Sequence, residues 1–156
     1  MIIDTAPADW GYKLCSLAET SPIPTLLAFI VCDTVIHDAG TQKKTLVGIF
    51  DRVQSPTAPF AINSVGLYAK MVEGSGPYTI RVRMVNLKDE SPVMEISTNA
   101  NWNAPEMPLE LGMNLLGIPL KEFGTYEFQL FANDIFLGRA VITAQKLEVP
   151  LTGRGI

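Results

Sequence analysis

The sequence predicts an all-β protein, an antiparallel β-sandwich of about eight strands. Turn-rich clusters of glycine, proline and asparagine divide the chain into segments of strand length. Several of these segments alternate apolar and polar residues, which places the apolar set on one face of a strand. After residue 25, no stretch keeps a helical period for more than two turns. The body of the protein is therefore predicted to consist of strands.

We place the eight strands at residues 25–36, 44–53, 60–71, 78–87, 93–98, 107–115, 124–132 and 135–146. An N-terminal extension (1–24) precedes this sandwich domain (25–147), and a flexible tail (148–156) follows it. In the extension, Trp10, Leu14 and Leu17 are spaced as on one face of a helix. This spacing predicts one short amphipathic helix before the first strand.

The core is predicted from three segments in which the alternation is clearest. Their apolar residues are Tyr78, Ile80, Val82 and Met84; Met107, Leu109, Leu111, Met113 and Leu115; and Tyr126, Phe128 and Leu130. The residues between them are polar or small, as expected for strands with one face in water.

The segment around Tyr126 predicts the type of sandwich. Tyr126 stands just inside a strand, after Gly124, and Phe128 follows two places later. In immunoglobulin-like domains a tyrosine at this place bonds its hydroxyl to the preceding loop, and a core residue follows two positions on. The predicted fold is therefore an immunoglobulin-like β-sandwich. This fold is compatible with many functions, so function has to be argued from a site.

Two segments, 26–32 and 46–50, are apolar on both faces of the predicted strand. A strand of this kind needs cover on both faces. The cover can come from the N-terminal segment or from a second copy of the chain, and the two are not exclusive. The pattern makes a homo-oligomer one expected state of the protein.

Composition excludes several classes of function. The chain has 156 residues and a net charge of -4, so it lacks the positive field of a general nucleic-acid binder. Its longest apolar run, 26–32, is far shorter than the roughly 20 residues that span a bilayer. The first residues lack the basic and apolar blocks of a secretory signal. We therefore expect a cytoplasmic protein without nucleic-acid or membrane partners.

The candidate catalytic and metal-binding residues do not form a complete set. His37 is the only histidine, and no Gly-x-Ser-x-Gly turn presents a nucleophile to it. Asp33, Asp38 and Asp134 could meet around calcium at an end of the sandwich, but ion pairing or solvation explains them more simply. Cys32 lies in an apolar run, which favours a buried, inert thiol. We predict no enzyme activity, no metal and no cofactor.

Arg81, Arg83 and Lys70 would form a cationic stripe if their strands were neighbours. Such a stripe could recognise a phosphate or a carboxylate. The favoured interpretation is a solvated face that discourages stacking of sheets.

The loop 99–105 is the most suggestive for ligand binding, because Trp102 stands among three asparagines. A tryptophan with amides around it can hold a sugar or a peptide, and it can equally cap the open end of a sandwich; the cap is favoured. If consecutive strands run antiparallel, the loops 37–43, 72–77, 99–106 and 133–134 emerge at one end. The candidate ligand-binding residues there are His37, Asp38, Asn101, Trp102, Asn103 and Asn133.

Two stretches of the chain resemble a known family. They are 29–33 with 44–51, and Phe123-Gly124-Thr125-Tyr126-Glu127-Phe128 with Gly138. Together they are similar to an uncharacterised family of small bacterial proteins, over about residues 25–146. The resemblance implies a β-sandwich and transfers no catalytic residue. The residues themselves support two main hypotheses for function: a non-enzymatic module that binds an unknown protein partner and self-associates, or a small-ligand or carbohydrate-binding module that uses the Trp102 loop. A hydrolase or metal-dependent enzyme around His37 and Asp33 is a third and disfavoured hypothesis.

Overall fold

A computed structural model describes residues 20–148, which fold into two β-sheets and contain no helix. The strands are β1 (Thr25–His37), β2 (Lys44–Ile49), β3 (Arg52–Ser55), β4 (Phe60–Val72), β5 (Gly76–Asn86), β6 (Pro92–Trp102), β7 (Leu109–Leu120), β8 (Gly124–Ala132) and β9 (Ile135–Lys146). One sheet has the order β2-β1-β4-β7 and the other has the order β3-β9-β8-β5-β6. The predicted all-β sandwich is confirmed. The helix expected at residues 10–17 and the tail beyond residue 148 lie outside the described residues.

The strand order is that of an immunoglobulin-like domain. Strands β5, β8 and β9 lie side by side as strands C, F and G do, and β1, β4 and β7 lie as A, B and E. Neighbouring strands are antiparallel, except that β3 runs parallel to β9. The first three strands are divided between the sheets, with β1 and β2 in one and β3 in the other.

The core lies between the two sheets, where the predicted sets on β5 and β8 meet β4, β7 and β9. All seven predicted core residues on β5 and β8 are at most 3% exposed. Leu109, Leu111, Met113 and Leu115 on β7 pack against this core but are only partly buried. Met107 was expected in the core and is 60% exposed, which is a correction. It precedes β7, in a turn where its amide donates to the Ala104 carbonyl.

The tyrosine corner is confirmed. The Tyr126 hydroxyl donates to the Glu122 carbonyl oxygen at 2.7 Å, and the residue is 1% exposed. Burial raises the pKa of Tyr126. Phe128, two residues later, is fully buried. The corner fixes the loop before β8 against the start of that strand.

The segment 44–53, expected to be one strand, forms parts of two strands in different sheets. The chain leaves β2 at Ile49 and enters β3 at Arg52. Phe50 packs against the core at this crossing, and its amide donates to the Val31 carbonyl. The Thr143 amide of β9 donates to the Asp51 carbonyl. The continuous apolar run therefore marks a passage between sheets, and residues 20–148 contain nine strands instead of eight.

Strand β7 continues to Leu120, beyond its expected end at Leu115. Between these residues the alternating set that faces the core changes to the other set. Leu115 faces the core, and so do Ile118 and Leu120, three and five residues later. The change occurs at Gly117, whose φ of 65° lies in the left-handed region where glycine is favoured. Strand alternation breaks there, which is why the pattern predicted an end at residue 115.

The end of β1 and the start of β2 form a hairpin that covers the outer face of the four-stranded sheet. A Cβ added to Gly66 would stand 2.8 Å from the Cys32 sulfur and 2.9 Å from the Val35 nitrogen. The Asn114 side chain reaches across β4 and accepts from the Val35 amide at 2.8 Å, and its own amide donates to the Val35 carbonyl at 2.9 Å. Part of the apolar surface on β1 is thus covered by the chain's own hairpin.

Candidate functional site

The structure brings two of the six predicted site residues together in one groove. Asn101 and Asn133 line an open groove of about 540 Å³ at one end of the five-stranded sheet, together with Asn99 and Thr79. The Asn133 side-chain oxygen accepts from the Thr79 amide at 2.9 Å. Asn103 is exposed just beyond the end of β6. The groove therefore has side-chain amides along its walls and no aromatic ring on its floor other than Tyr78.

Trp102 faces the opposite side of β6 and closes the end of the sandwich. It is 4% exposed, and its indole nitrogen donates to the Met107 carbonyl at 2.9 Å. Its ring centroid lies 5.9 Å from that of Tyr78. A Cβ built on Gly74 would overlap the indole, so this close approach requires glycine. The buried ring has no free face for a ligand.

His37 and Asp38 lie on the β1–β2 hairpin. Thr25, at the start of β1, pairs with Val72, so the 72–77 loop lies near the start of β1. The 38–43 loop follows the other end of the same strand. Asp38 accepts from the Thr41 hydroxyl and the Gly40 amide, each at 2.8 Å. These bonds, the Thr41 hydroxyl foremost, lower the pKa of Asp38.

No hydrogen bond or ion pair within residues 20–148 joins His37 or Asp38 to the groove at Asn101, and neither residue lines that groove. The expectation that four loops share one end assumed that each segment turns back beside its predecessor. Instead, the second half of β1 leaves β4 after Cys32 and pairs with β2. The two parts of the predicted set therefore stand as separate surfaces.

The expected cationic stripe is divided between the sheets. Lys70 belongs to β4 and lies 4.0 Å from Glu110 of β7. Arg81 makes ion pairs with Glu95 at 3.3 Å and with Asp134 at 3.4 Å. The Arg83 side chain has neither an ion pair nor a hydrogen bond among the residues that the structure describes. Of the three cations, Arg83 is the one left for a ligand.

The carboxylates form no metal site in residues 20–148, where no group of three or more His, Cys, Asp or Glu side chains could hold an ion. Asp134 is engaged by Arg81, and Asp38 stabilises its own turn. Cys32 is fully buried, and burial raises the pKa of its thiol. Its sulfur donates to the Thr34 carbonyl at 3.3 Å. Such a thiol is a packing group while the hairpin stays closed.

One surface that the sequence analysis missed is the open side of the sandwich, formed by the edge strands β6 and β7. Ile96 on β6 and Met113 on β7 face inward but are only partly buried. Their neighbours one strand further in, Val82 and Leu67, are 1% and 2% exposed. The interior of the sandwich therefore reaches the surface along this side.

A weak signal for this side was present in the sequence. Strands β6 and β7 contain no lysine or arginine, and each contains one glutamate. Edge strands of soluble proteins are commonly protected by charges, especially lysine. The strand pairing was needed to show that these two segments are edges.

Comparisons with known proteins give a family and no activity. No curated protein matches this chain. Among solved structures, an immunoglobulin-like protein from Pseudomonas aeruginosa is similar at 13% sequence identity and a TM-score of 0.38, over 79% of this chain and 97% of that one. No helix of residues 20–148 is long and apolar enough to cross a membrane.

A family model matches residues 27–145, which is most of the chain. This range agrees with the resemblance inferred over about residues 25–146, and the resemblance to an uncharacterised family is confirmed. The chain belongs to the DUF6941 family of unknown function.

Proposed function

We propose that this protein is a non-enzymatic interaction module of the cytoplasm that self-associates through the open side formed by β6 and β7. The observation that carries the proposal is the partial exposure of inward-facing apolar residues along both edge strands. The residues concerned are Met94, Ile96, Leu111, Met113 and Leu115. Contiguous apolar surface of this kind is typical of an interface between proteins.

The backbone of the two edge strands also supports pairing with another chain. β6 has 11 residues and β7 has 12, and within residues 20–148 each has a strand on one side only. A free edge offers a row of amide donors and carbonyl acceptors to an added strand. Prolines stand near the ends of these edges, at Pro92 and Pro119, and leave the central residues free to pair.

A second copy of the chain is the partner that fits this side best. A two-fold axis would place β6 or β7 antiparallel to its own copy, so the same apolar residues would cover each other. The glutamates on these strands are already engaged, Glu95 by Arg81 and Glu110 by Lys44. Neither edge therefore presents an unpaired charge that would oppose its copy.

The test is the oligomeric state measured by sedimentation velocity over a wide range of protein concentration. We expect a concentration-dependent dimer that Thr98→Lys weakens, because this exposed position on β6 faces the open side and an inward-pointing charge blocks edge pairing. Leu116→Lys is a second variant, which places a lysine on the outer face of the edge strand β7. Each is expected to raise the dissociation constant by about tenfold or more, equivalent to about 1.4 kcal/mol.

Ile49→Lys is the matched control. Ile49 is 65% exposed on β2, at the opposite edge of the same sheet as β7. It should leave association unchanged. A monomer at every concentration, or equal weakening by the control, would contradict the proposal.

A second candidate function is the binding of a small polar ligand in the Asn101 groove. The observation in its favour is the set of amide side chains from Asn99, Asn101 and Asn133 around one opening. A carbohydrate platform built on Trp102 has lost its main support, because the ring is buried. Titration with a glycan panel, observed in amide resonances of these asparagines, tests the groove. A response that survives Asn101→Leu would count against it.

A further inference from the structure

The outer face of the five-stranded sheet contains a small charged cavity that no function described above uses. It has a volume of about 270 Å³ and lies over the central strands β5, β8 and β9, away from the β6 and β7 edges. Its lining residues are Arg83, Val85, Leu87, Glu90, Glu127, Gln129 and Arg139. The cavity thus combines two guanidinium groups, two carboxylates and an apolar wall.

Glu127 forms the floor of this cavity and is unusually buried for a residue on an outward face. It pairs with Val85 and Val141 on the neighbouring strands, and it is only 4% exposed. Buried carboxylates need compensation by charge and hydrogen bonds. The Gln129 amide donates to one oxygen at 2.8 Å, and Arg139 contacts the other at 3.2 Å. Glu127 is therefore satisfied and holds Arg139 in a defined place.

Arg139 uses only part of its hydrogen-bonding capacity within residues 20–148. Its single contact with Glu127 uses one terminal nitrogen, and its side chain is 65% exposed. A guanidinium has five N–H donors in a rigid fork that matches a carboxylate. The remaining donors of Arg139 are free to meet a ligand at the mouth of the cavity.

Arg83 is the second guanidinium and lies across Gln129 from Arg139. Cross-strand pairing places Arg83, Gln129 and Arg139 in one row over β5, β8 and β9. Strands lie about 4.8 Å apart, so the two arginine backbones are separated by roughly 10 Å, within reach of two long side chains that converge. Arg83 has no ion pair with the described residues, although Glu95 is its cross-strand neighbour, because Glu95 bonds to Arg81.

We propose that this cavity binds a small carboxylate, held between Arg83 and Arg139 with its short apolar chain against Val85 and Leu87. Val85 is 2% exposed and Leu87 is 41% exposed, so the apolar wall is partly open to a ligand. The volume suits a ligand of few atoms, since typical drug-sized sites begin near 300 Å³.

The charges of the cavity allow two sources of this carboxylate. Glu127 is neutralised by Arg139, and the remaining pair of charged groups is Arg83 and the exposed Glu90 on the β5–β6 turn. A simple fatty acid uses only its carboxylate, held between Arg83 and Arg139. An α-amino acid uses Arg83 for its carboxylate and Glu90 for its ammonium group. The carboxylate is common to both, and Arg83 is needed in either case.

The test is a titration of the full chain with butanoate, 2-aminobutanoate and butylamine, observed in the side-chain N–H resonances of arginine. We expect butanoate, 2-aminobutanoate or both to shift Arg83 and Arg139 saturably, and butylamine to shift neither. A response to 2-aminobutanoate alone identifies an amino acid as the source. Saturation by butylamine alone, or no saturation by either acid, would overturn the proposal.

Variants separate this site from nonspecific charge. Arg83→Gln should weaken binding of the acid by about tenfold or more, because it removes a charge-assisted, bidentate hydrogen bond. Arg83→Lys keeps the charge and loses the two parallel N–H donors of the guanidinium. Its affinity for the acid should therefore lie between that of the unchanged protein and that of Arg83→Gln. Arg52→Gln is the matched control on the same sheet, since the Arg52 side chain is 61% exposed and its only ion pair within residues 20–148 is with its neighbour Asp51. Equal loss in Arg52→Gln would also overturn the assignment.

Discussion

Asn114 holds the β1–β2 hairpin over the outer face of its sheet, and its replacement by alanine should release that hairpin. The side chain makes two hydrogen bonds to the backbone of Val35, at 2.8 and 2.9 Å. Val35 itself is 7% exposed, so its amide and carbonyl lose their hydrogen-bond partner when the Asn114 side chain is removed. Each bond contributes about 1 kcal/mol, which gives about 2 kcal/mol for the pair.

Cys32 reports on this opening. Its thiol is fully buried beneath the hairpin, and its raised pKa disfavours the reactive thiolate. In a Cys15→Ser background, Cys32 is the only thiol in the chain. The rate at which it reacts with a disulfide reagent under native conditions then measures how often the hairpin opens. Loss of about 2 kcal/mol from the closed state predicts a roughly thirtyfold faster reaction in Asn114→Ala.

Asn103→Ala is the control, because Asn103 is exposed and has no hydrogen bond within residues 20–148. It should leave the labelling rate unchanged. The reasoning is wrong if Asn114→Ala labels no faster than Asn103→Ala. It is also wrong if the labelling rate of Asn114→Ala rises with urea as steeply as global unfolding does, since the opening is then not confined to the hairpin.

Three further predictions concern stability and ionisation. Tyr126→Phe keeps the ring packing and removes the corner hydrogen bond, so it should lower the free energy of unfolding by about 1 kcal/mol in urea titration. Gly74→Ala should lower it by about 1–3 kcal/mol because its Cβ overlaps Trp102, whereas Gly40→Ala, whose Cβ would find only ordinary contact, should be nearly neutral. Burial and a nearby carboxylate raise the pKa of Tyr68 to about 12. Its ionisation, followed by ultraviolet absorbance, should therefore occur at a higher pH than that of an ordinary tyrosine. The stability linked to this shift is fully present below pH about 10 and is lost as the pH rises towards 12; Tyr68→Phe should abolish that dependence.

The elements that could be predicted from sequence are those whose signals are local. Alternation along β5 and β8 requires only that one face is dry, and the dry residues are the predicted ones. The tyrosine corner is set by a hydroxyl and a carbonyl four residues apart. Such patterns are visible in a short window of sequence, and they indicated both the sandwich and its immunoglobulin-like type.

What could not be predicted depends on contacts between distant residues. The apolar run before Phe50 has the same appearance whether it continues one strand or passes from one sheet to the other. Glu127 belongs to the polar set of an alternating strand, and only the arrangement of β5, β8 and β9 buries it under longer side chains. The predicted site at the loops failed to assemble as one cluster for the same reason, since the direction of β1 after Cys32 is decided by glycines on β4 and β7.

The parallel pairing of β3 with β9 has a consequence for synthesis of the chain on the ribosome. Residues 52–55 can pair only after residues 143–146 have been synthesised. The five-stranded sheet therefore lacks its edge strand β3 until almost the whole domain has left the exit tunnel. During that interval the exposed backbone of β3 is available to chaperones and to neighbouring nascent chains. Ribosome-bound fragments ending before residue 143 should accordingly resist folding, and the domain should acquire its native protease resistance in a single late step.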